Sequence, residues 1–301
     1  VRAVSVDISP FVIAHLSDLH VGRPGTVMDE LLDPAGRLER LVQRLVQLGD
    51  AVDAVLITGD LVDEGSVEEY ERLRTLLRRL EVPVVLLAGN HDDPSAMAEV
   101  FAGIPHRPRG GGGADDPVGA GFVVEDWPIR VVVVDSTVPG LHSGELTAAR
   151  LAHLDGELSS HPERPTLVAL HHPPLEVGMW WMDYGAPPGA AALAEVLERH
   201  PQVVGLAAGH IHRSTQCVWA GALLHVAGSV AYQSEPALVA DPEPLVCDDE
   251  AELSLLRWDG RCLLAHQVAT GTERRTLDLR ELVQPWEPYE QAARNGGPMR
   301  K

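Results

Sequence analysis

A chain of 301 residues with 44 acidic and 24 basic side chains carries a formal net charge of −20. That length buries a sizeable core without disulfide staples. The charge argues against a nucleic-acid track and against an anionic membrane surface, because both need a basic face. It leaves a small phosphate substrate open, since bound metal ions reverse the local field.

The three cysteines, Cys217, Cys247 and Cys262, lack the spacing of a disulfide framework or a zinc knuckle. They read as thiols of a reducing cytosol, so the expected location is cytoplasmic. No apolar run approaches the roughly 20 residues of a membrane span. The opening stretch, Val1 to Pro10, is not expected to act as a signal peptide, having neither a basic nor an apolar region.

Seven short runs rich in Val, Leu and Ile predict buried strands: Val12–Ser17, Ala54–Thr58, Val84–Ala88, Val131–Asp135, Thr166–Leu170, Val203–Ala208 and Leu223–Ala227. Helical patterns lie between them at Gly36–Leu48, Val67–Leu80, Ser95–Phe101, Thr147–Leu158 and Ala190–Arg199. In the first of these, Leu38, Leu41, Val42, Leu45 and Leu48 share one face. The alternation predicts an α/β architecture. Later, Ser254–Trp258 and Cys262–Val268 flank Asp259-Gly260, a hairpin signal. The expected organisation is a catalytic core over 1–230, C-terminal strands over 231–283 that pack on the core or on a dimer partner, and a tail over 284–301. Gly110–Gly113 reads as a flexible loop without chemistry.

Polar residues of one kind stand at the ends of the strand runs. They are Asp18-Leu19-His20, Gly59-Asp60, Gly89-Asn90-His91, His171-His172-Pro173 and Gly209-His210-Ile211-His212. The carboxyl edge of the strands is where open α/β sheets bind ligands. Asp18 and His20 are two apart, so an extended backbone would point both to one face, and His210 and His212 repeat the device. A glycine before a ligand permits a sharp turn and a close backbone approach. Imidazole, carboxylate and amide oxygen form a mixed N/O set that suits Mn, Fe, Zn or Co.

These five motifs, in this order, resemble the calcineurin-like metallophosphoesterases over roughly residues 11–230. The wording Asn90-His91-Asp92, Leu170-His171-His172-Pro173-Pro174 and Asp135-Ser136-Thr137-Val138-Pro139-Gly140 is most similar to the bacterial class III cyclic-nucleotide phosphodiesterase and glycerophosphodiesterase branch. The resemblance implies a sandwich of two mixed β-sheets flanked by helices, to which the C-terminal β-hairpin read from Asp259-Gly260, only loosely similar to the family, is an extension. It implies two divalent metal ions: Asp18, His20, Asp60 and His212 hold the first, and Asp60, Asn90, His171 and His210 the second. It implies catalytic roles for His91, Asp60 and Asn90, and a homodimer.

Other residues keep two readings. Asp63 either reaches the site as a substrate contact or caps the helix near Ser66. His172 either lines the site or orients a neighbour. His142, in a loop after a strand, is expected to touch substrate. Trp181, in the aromatic segment Glu176–Pro188, is expected to cover substrate as part of a lid, to build a dimer interface, or both. His15 reads as a hydrogen-bonded core histidine, His225 and His266 as structural, and His153, His161 and His200 as solvated.

The expected reaction is in-line displacement at phosphorus, with two ions about 4 Å apart clamping the phosphate and activating a bridging hydroxide. His91 either protonates the leaving alkoxide or positions the phosphate. Small diesters are the expected substrates, with 3′,5′-cyclic nucleotides (cyclic AMP) first. The alternatives are a glycerophosphodiesterase or broad phosphomonoesterase, or a catalytically silent metal-binding regulator. No nucleophile elbow and no P-loop is present.

Overall fold

The computed structural model describes residues 9–102, 121–236 and 243–270. All of them fall in a unit that ends at Thr270. The expected tail at 284–301 and the glycine loop at 110–113 lie outside the described residues.

Two sheets carry the site. The first contains β1 (Phe11–Leu16), β2 (Ala54–Thr58) and β3 (Val84–Leu87) in parallel, in the order β1-β2-β3. The second is built from β4 (Gly121–Val124), β5 (Arg130–Val134), β6 (Thr166–Ala169), β7 (Val203–Ala208), β8 (Thr215–Trp219) and β9 (Ala222–Val226), in the order β4-β5-β6-β7-β9-β8. Its inner strands are parallel and its two edges antiparallel. A two-stranded pair, β10 (Gln233–Ser234) and β11 (Val246–Cys247), follows. The predicted hairpin is β12 (Leu253–Trp258) and β13 (Leu263–Val268). It is an integral part of the first sheet: β12 pairs antiparallel with β1, from Phe11 against Trp258 to His15 against Ser254.

The helices are α1 (Val27–Leu32), α2 (Pro34–Leu48), α3 (Val67–Leu77), α4 (Pro94–Phe101), α5 (Ala148–Ser160), the single turn α6 (Trp180–Asp183) and α7 (Ala190–Glu198). Their starts follow local chemistry. Ser66 and Glu69 form a reciprocal capping box on α3, and Asp93 caps α4 just ahead of Pro94.

The two-residue period of the strands sorts the core into layers. Ala14, Leu16, Val55, Ile57 and Leu86 face outward onto α2, α3 and α4. Val132, Val134, Val168, Leu206 and Ala208 face outward onto α5 and α7. The alternate residues, Ile13, Leu56 and Val85 from the first sheet with Val131, Leu167 and Ala207 from the second, meet in between. The result is a four-layer α/β/β/α sandwich, the expected fold.

At the start of β5 the guanidinium of Arg130, fully buried, donates to Glu125 Oε1 at 2.9 Å, Glu157 Oε2 at 2.6 Å and the Glu157 carbonyl at 2.9 Å. Arg164 completes this network by donating to Glu125 at 2.7 Å. Neither α1, which buries no residue, nor β8, an exposed edge strand, was foreseen from the sequence.

Candidate metal centre

All seven predicted ligands converge at the carboxyl ends of β1, β2, β3, β6 and β7. One ligand atom from each of Asp18, His20, Asp60 and His212 lies within 4.8 Å of the others. Beside them, Asn90 Oδ1 stands 3.1 Å from His171 Nε2 and 3.0 Å from His210 Nδ1. Asp60 joins the two groups: its Oδ2 is 3.6 Å from His20 Nε2 and 3.4 Å from His171 Nε2. Every one of these residues except Asn90 is buried.

The backbone departs from the expectation of an extended D-x-H and H-x-H. β1 stops at Leu16 and β7 at Ala208, before the ligands begin. Asp18, His20, Asp60, His210 and His212 then adopt left-handed φ of 53°, 41°, 48°, 74° and 51°. Only Asp33 and Ala220 share that conformation among the other described non-glycine residues. Each such residue costs about 1–2 kcal/mol. Hydrogen bonds hold the turns: Asp18 N to Gly59 O at 3.0 Å, His20 N to Asp60 O at 3.0 Å, and His210 N to the Asp18 carboxylate at 3.0 Å. Gly89 is required for contact, because a β-carbon there would meet Asp60 Oδ1 at 2.2 Å.

A set of acceptors fixes the imidazoles. His171 Nδ1 donates to Thr58 O at 2.7 Å, and His212 Nδ1 to Tyr232 O at 3.2 Å. His20 Nδ1 faces Asp63 Oδ1 at 3.5 Å. In all three rings this leaves Nε2 for the centre, the usual way a protein presents imidazole to a cation.

Electrostatics separate the two carboxylates. Burial pushes Asp18 up to about 6. Burial acts the same way on Asp60, yet His171 and His20 outweigh it and hold that carboxyl well below its usual range. Burial lowers His171, but Asp60 overcomes this and carries it up to about 9. Burial keeps His210 and His212 neutral, well below the ordinary imidazole range, so their lone pairs are available. The donor set fits two divalent cations. His20 Nε2 and His212 Nε2 lie 3.1 Å apart, a separation at which two lone pairs need a shared proton or a cation between them.

The other candidates divide. His91 Nδ1 donates to Asp63 O at 2.7 Å, and its ring lies 4.7 Å from that of His20, so Nε2 is left for a substrate. Asp63 faces His20 and His91, while the cap of α3 is Ser66 itself. His142 is exposed, with Nδ1 3.1 Å from Asn90 Nδ2 and its ring 5.3 Å from that of His91.

His172 stands beside the second group, with one ligand atom within 4.8 Å of those of His171 and His210 and its ring 4.6 Å from that of His210. It is fully buried, with Nδ1 2.8 Å from Ser136 Oγ and Nε2 3.1 Å from His142 O. With both nitrogens occupied it orients the loop that carries His142. Trp181 packs against the outer core of the second sheet, and the aromatic segment reaches the centre through Gly185, where a β-carbon would meet His210 Nε2 at 2.5 Å. His200, expected to be solvated, is buried against Asp155 at 2.7 Å, because α5 brings that carboxylate under the end of α7. His266 stands exposed on β13, without the structural role expected of it.

Three contributors escaped the sequence reading. Asp92 Oδ2 accepts from Gly89 N at 2.8 Å and Leu61 N at 3.1 Å, and Oδ1 accepts from the Tyr70 hydroxyl at 2.8 Å. It staples the Asp60 loop to the Asn90 loop, and burial with Asp60 nearby pushes its carboxyl up to about 6. Its place beside Asn90-His91 was the available signal. Ser229 Oγ donates to Asp18 O at 2.8 Å, and the Tyr232 ring lies 4.4 Å from that of His212. No motif marks either of them.

The family model described as calcineurin-like phosphoesterase matches residues 11–214. The chain belongs to that family. Its members use a binuclear divalent metal centre, and the clustered aspartates and histidines agree with one. The chain is 29% identical over 248 residues to a probable glycerophosphodiester phosphodiesterase of Arcobacter nitrofigilis, covering 82% of this chain and 88% of that one. It is 33% identical over 205 residues to a 3′,5′-cyclic-nucleotide phosphodiesterase of Nostoc sp., covering 68% and 72%. A dimetal phosphatase from Danio rerio shares the fold, with a TM-score of 0.62 at 15% identity over 87% of this phosphoesterase and 96% of that chain. No helix among the described residues is long and apolar enough to cross a membrane.

Proposed function

We propose that this phosphoesterase hydrolyses small phosphodiesters, 3′,5′-cyclic nucleotides first, at a binuclear centre. The observation that carries the reading is Asp60 Oδ2, set between His20 Nε2 at 3.6 Å and His171 Nε2 at 3.4 Å, where one carboxylate would serve two ions. Asp18, His20, Asp60 and His212 would hold the first cation, and Asp60, Asn90, His171 and His210 the second. Mn, Fe, Zn and Co all suit this sulfur-free set. Such a pair supplies Lewis-acid charge at the phosphate and lowers the pKa of water.

The chain's own residues do the rest. His91, tied through Nδ1 to Asp63 O, offers Nε2 to the leaving oxygen. Asp63 steadies His20 and His91 together. Asn90 turns its oxygen to His171 and His210 and its amide nitrogen to His142, which keeps His142 at the mouth of the site as a phosphate or substrate contact. The segment with Trp180 and Tyr184, 56% and 84% exposed, is read as a substrate cover or the face of a homodimer. A cytoplasmic location goes with the free thiols Cys217, Cys247 and Cys262.

A second reading, glycerophosphodiester hydrolysis, is favoured by the longer match to the Arcobacter relative. The test compares cyclic AMP, a glycerophosphodiester, bis(p-nitrophenyl) phosphate and p-nitrophenyl phosphate with Mn²⁺-loaded protein, using Asn90→Ala as control. Diester turnover that the substitution abolishes supports the reading, and the relative rates choose between the two substrates. Bound metal without turnover of any ester would leave a silent regulator instead.

A further inference from the structure

Two buried histidines take no part in the site just described. His15 lies on β1 and His225 on β9, so they belong to different sheets. Each is two residues from a side chain of the inter-sheet layer, Ile13 and Leu223, and shares its face. They are 0% and 1% exposed, and their Nδ1 atoms are 3.0 Å apart.

The proton positions follow from the neighbours. The Thr58 hydroxyl donates to Leu16 O at 3.3 Å, so at 3.0 Å it accepts from His15 Nε2–H. His15 Nδ1 is then the acceptor and His225 Nδ1–H the donor. His225 Nε2 is left as a lone pair, buried and without a hydrogen-bond partner. A polar group retained at such a cost in an otherwise apolar layer asks for a role.

Its position suggests one. Thr58 ends β2 one residue before Gly59-Asp60, and its carbonyl accepts from Ser17 Oγ at 3.2 Å and from His171 Nδ1 at 2.7 Å. The chain His225–His15–Thr58–His171 therefore leaves the second sheet, crosses into the first and returns to the second directly beneath the candidate centre. Asp18, His20, Asp60 and Asn90 follow strands of the first sheet, and His171, His210 and His212 strands of the second. Apolar contacts between the sheets are non-directional and tolerate sliding, whereas a hydrogen bond specifies one register.

We propose that His15 and His225 are positioning residues whose hydrogen bond fixes the offset between the two sheets, and with it the spacing of the two metal positions. The inference rests on the binuclear reading of the site. Neither histidine touches a ligand or substrate; they act through Thr58 and the strand ends.

The experiment compares wild type, His225→Leu and His225→Asn, loaded with Mn²⁺. Leu and Asn are nearly isosteric, and only Asn can donate to His15 Nδ1. The readouts are the exchange-coupled electron paramagnetic resonance signal of paired Mn²⁺, kcat and KM for a nitrophenyl diester, and the thermal midpoint. His225→Leu is expected to exchange most of the coupled signal for that of isolated Mn²⁺ and to lower kcat about tenfold at unchanged KM, with His225→Asn restoring both. A His225→Leu protein that keeps the coupled signal and kcat overturns the proposal, whatever its midpoint, and so does an Asn variant as impaired as the Leu one. If His225→Leu does not fold, Thr58→Val, which removes only the hydroxyl link, carries the same expectation, with Thr58→Ser as its rescue. A wild-type protein that never shows a coupled pair overturns the binuclear reading itself, and this inference with it.

Discussion

Buried charge occurs at both ends of the strands in this phosphoesterase, with opposite outcomes. At the amino end of β5, Arg130 meets two carboxylates and a carbonyl at 2.6–2.9 Å. At the carboxyl ends, Asp18 and Asp60 meet the imidazoles of His20, His171 and His212, and two of those rings, His20 and His212, turn Nε2 toward each other at 3.1 Å. The first cluster closes on itself and needs no visitor. The second is completed only by added positive charge. Burial alone thus does not mark a site; an unbalanced set of donors and acceptors does.

Substitutions sharpen this contrast. Asp60→Asn removes the group proposed to serve both ion positions. Diester kcat/KM should fall on the order of a thousandfold, with bound Mn²⁺ lost in parallel, and the fold retained by circular dichroism. Near-normal activity would mean that Asp60 does not bridge. At the other end, Arg130→Leu leaves the partly exposed Glu157 without its partner and should cost about 1–3 kcal/mol in urea unfolding while leaving kcat per folded molecule unchanged. A large kcat effect there would erase the distinction between the two ends.

A smaller effect tests the layer between them. Burial pushes His225 down to about 4, below the roughly 6.5 of an unfolded chain. Between those values the unfolded state binds a proton that the folded state refuses. Stability therefore rises with pH across this window and is lost as pH falls from 6.5 toward 4, by about 1.4 kcal/mol per pH unit. Urea unfolding at pH 6.5 and 5.5 should show a steeper loss in wild type than in His225→Asn. Equal losses would show that this histidine is not the one refusing the proton.

The convergence of the seven proposed ligands was legible in the sequence because each follows a Val/Leu/Ile run, and strand ends are easy to read. What surrounds them was not. Left-handed turns at Asp18 and His210 are dictated by bonds to Gly59 and to the Asp18 carboxylate, which are distant in sequence. Asp92, Ser229 and Tyr232 sit in loops just after the predicted runs Val84–Ala88 and Leu223–Ala227, but their partners come from other loops, which no run identifies. His200 was misread because its partner, Asp155, comes from a different helix. α1 and β8 went unseen because neither buries the stripe or the alternation that would betray it.

The pairing of β12 with β1 also bears on how the protein is made. β1 leaves the ribosome near residue 16, and its outer neighbour begins at Leu253. At about 5–20 residues per second, on the order of ten to fifty seconds separate the two. During that interval the strand that leads into Asp18 and His20 presents an unsatisfied edge to every other nascent chain. Translation speed and chaperone supply, as well as the mature contacts, should therefore govern how much of this enzyme reaches its folded state.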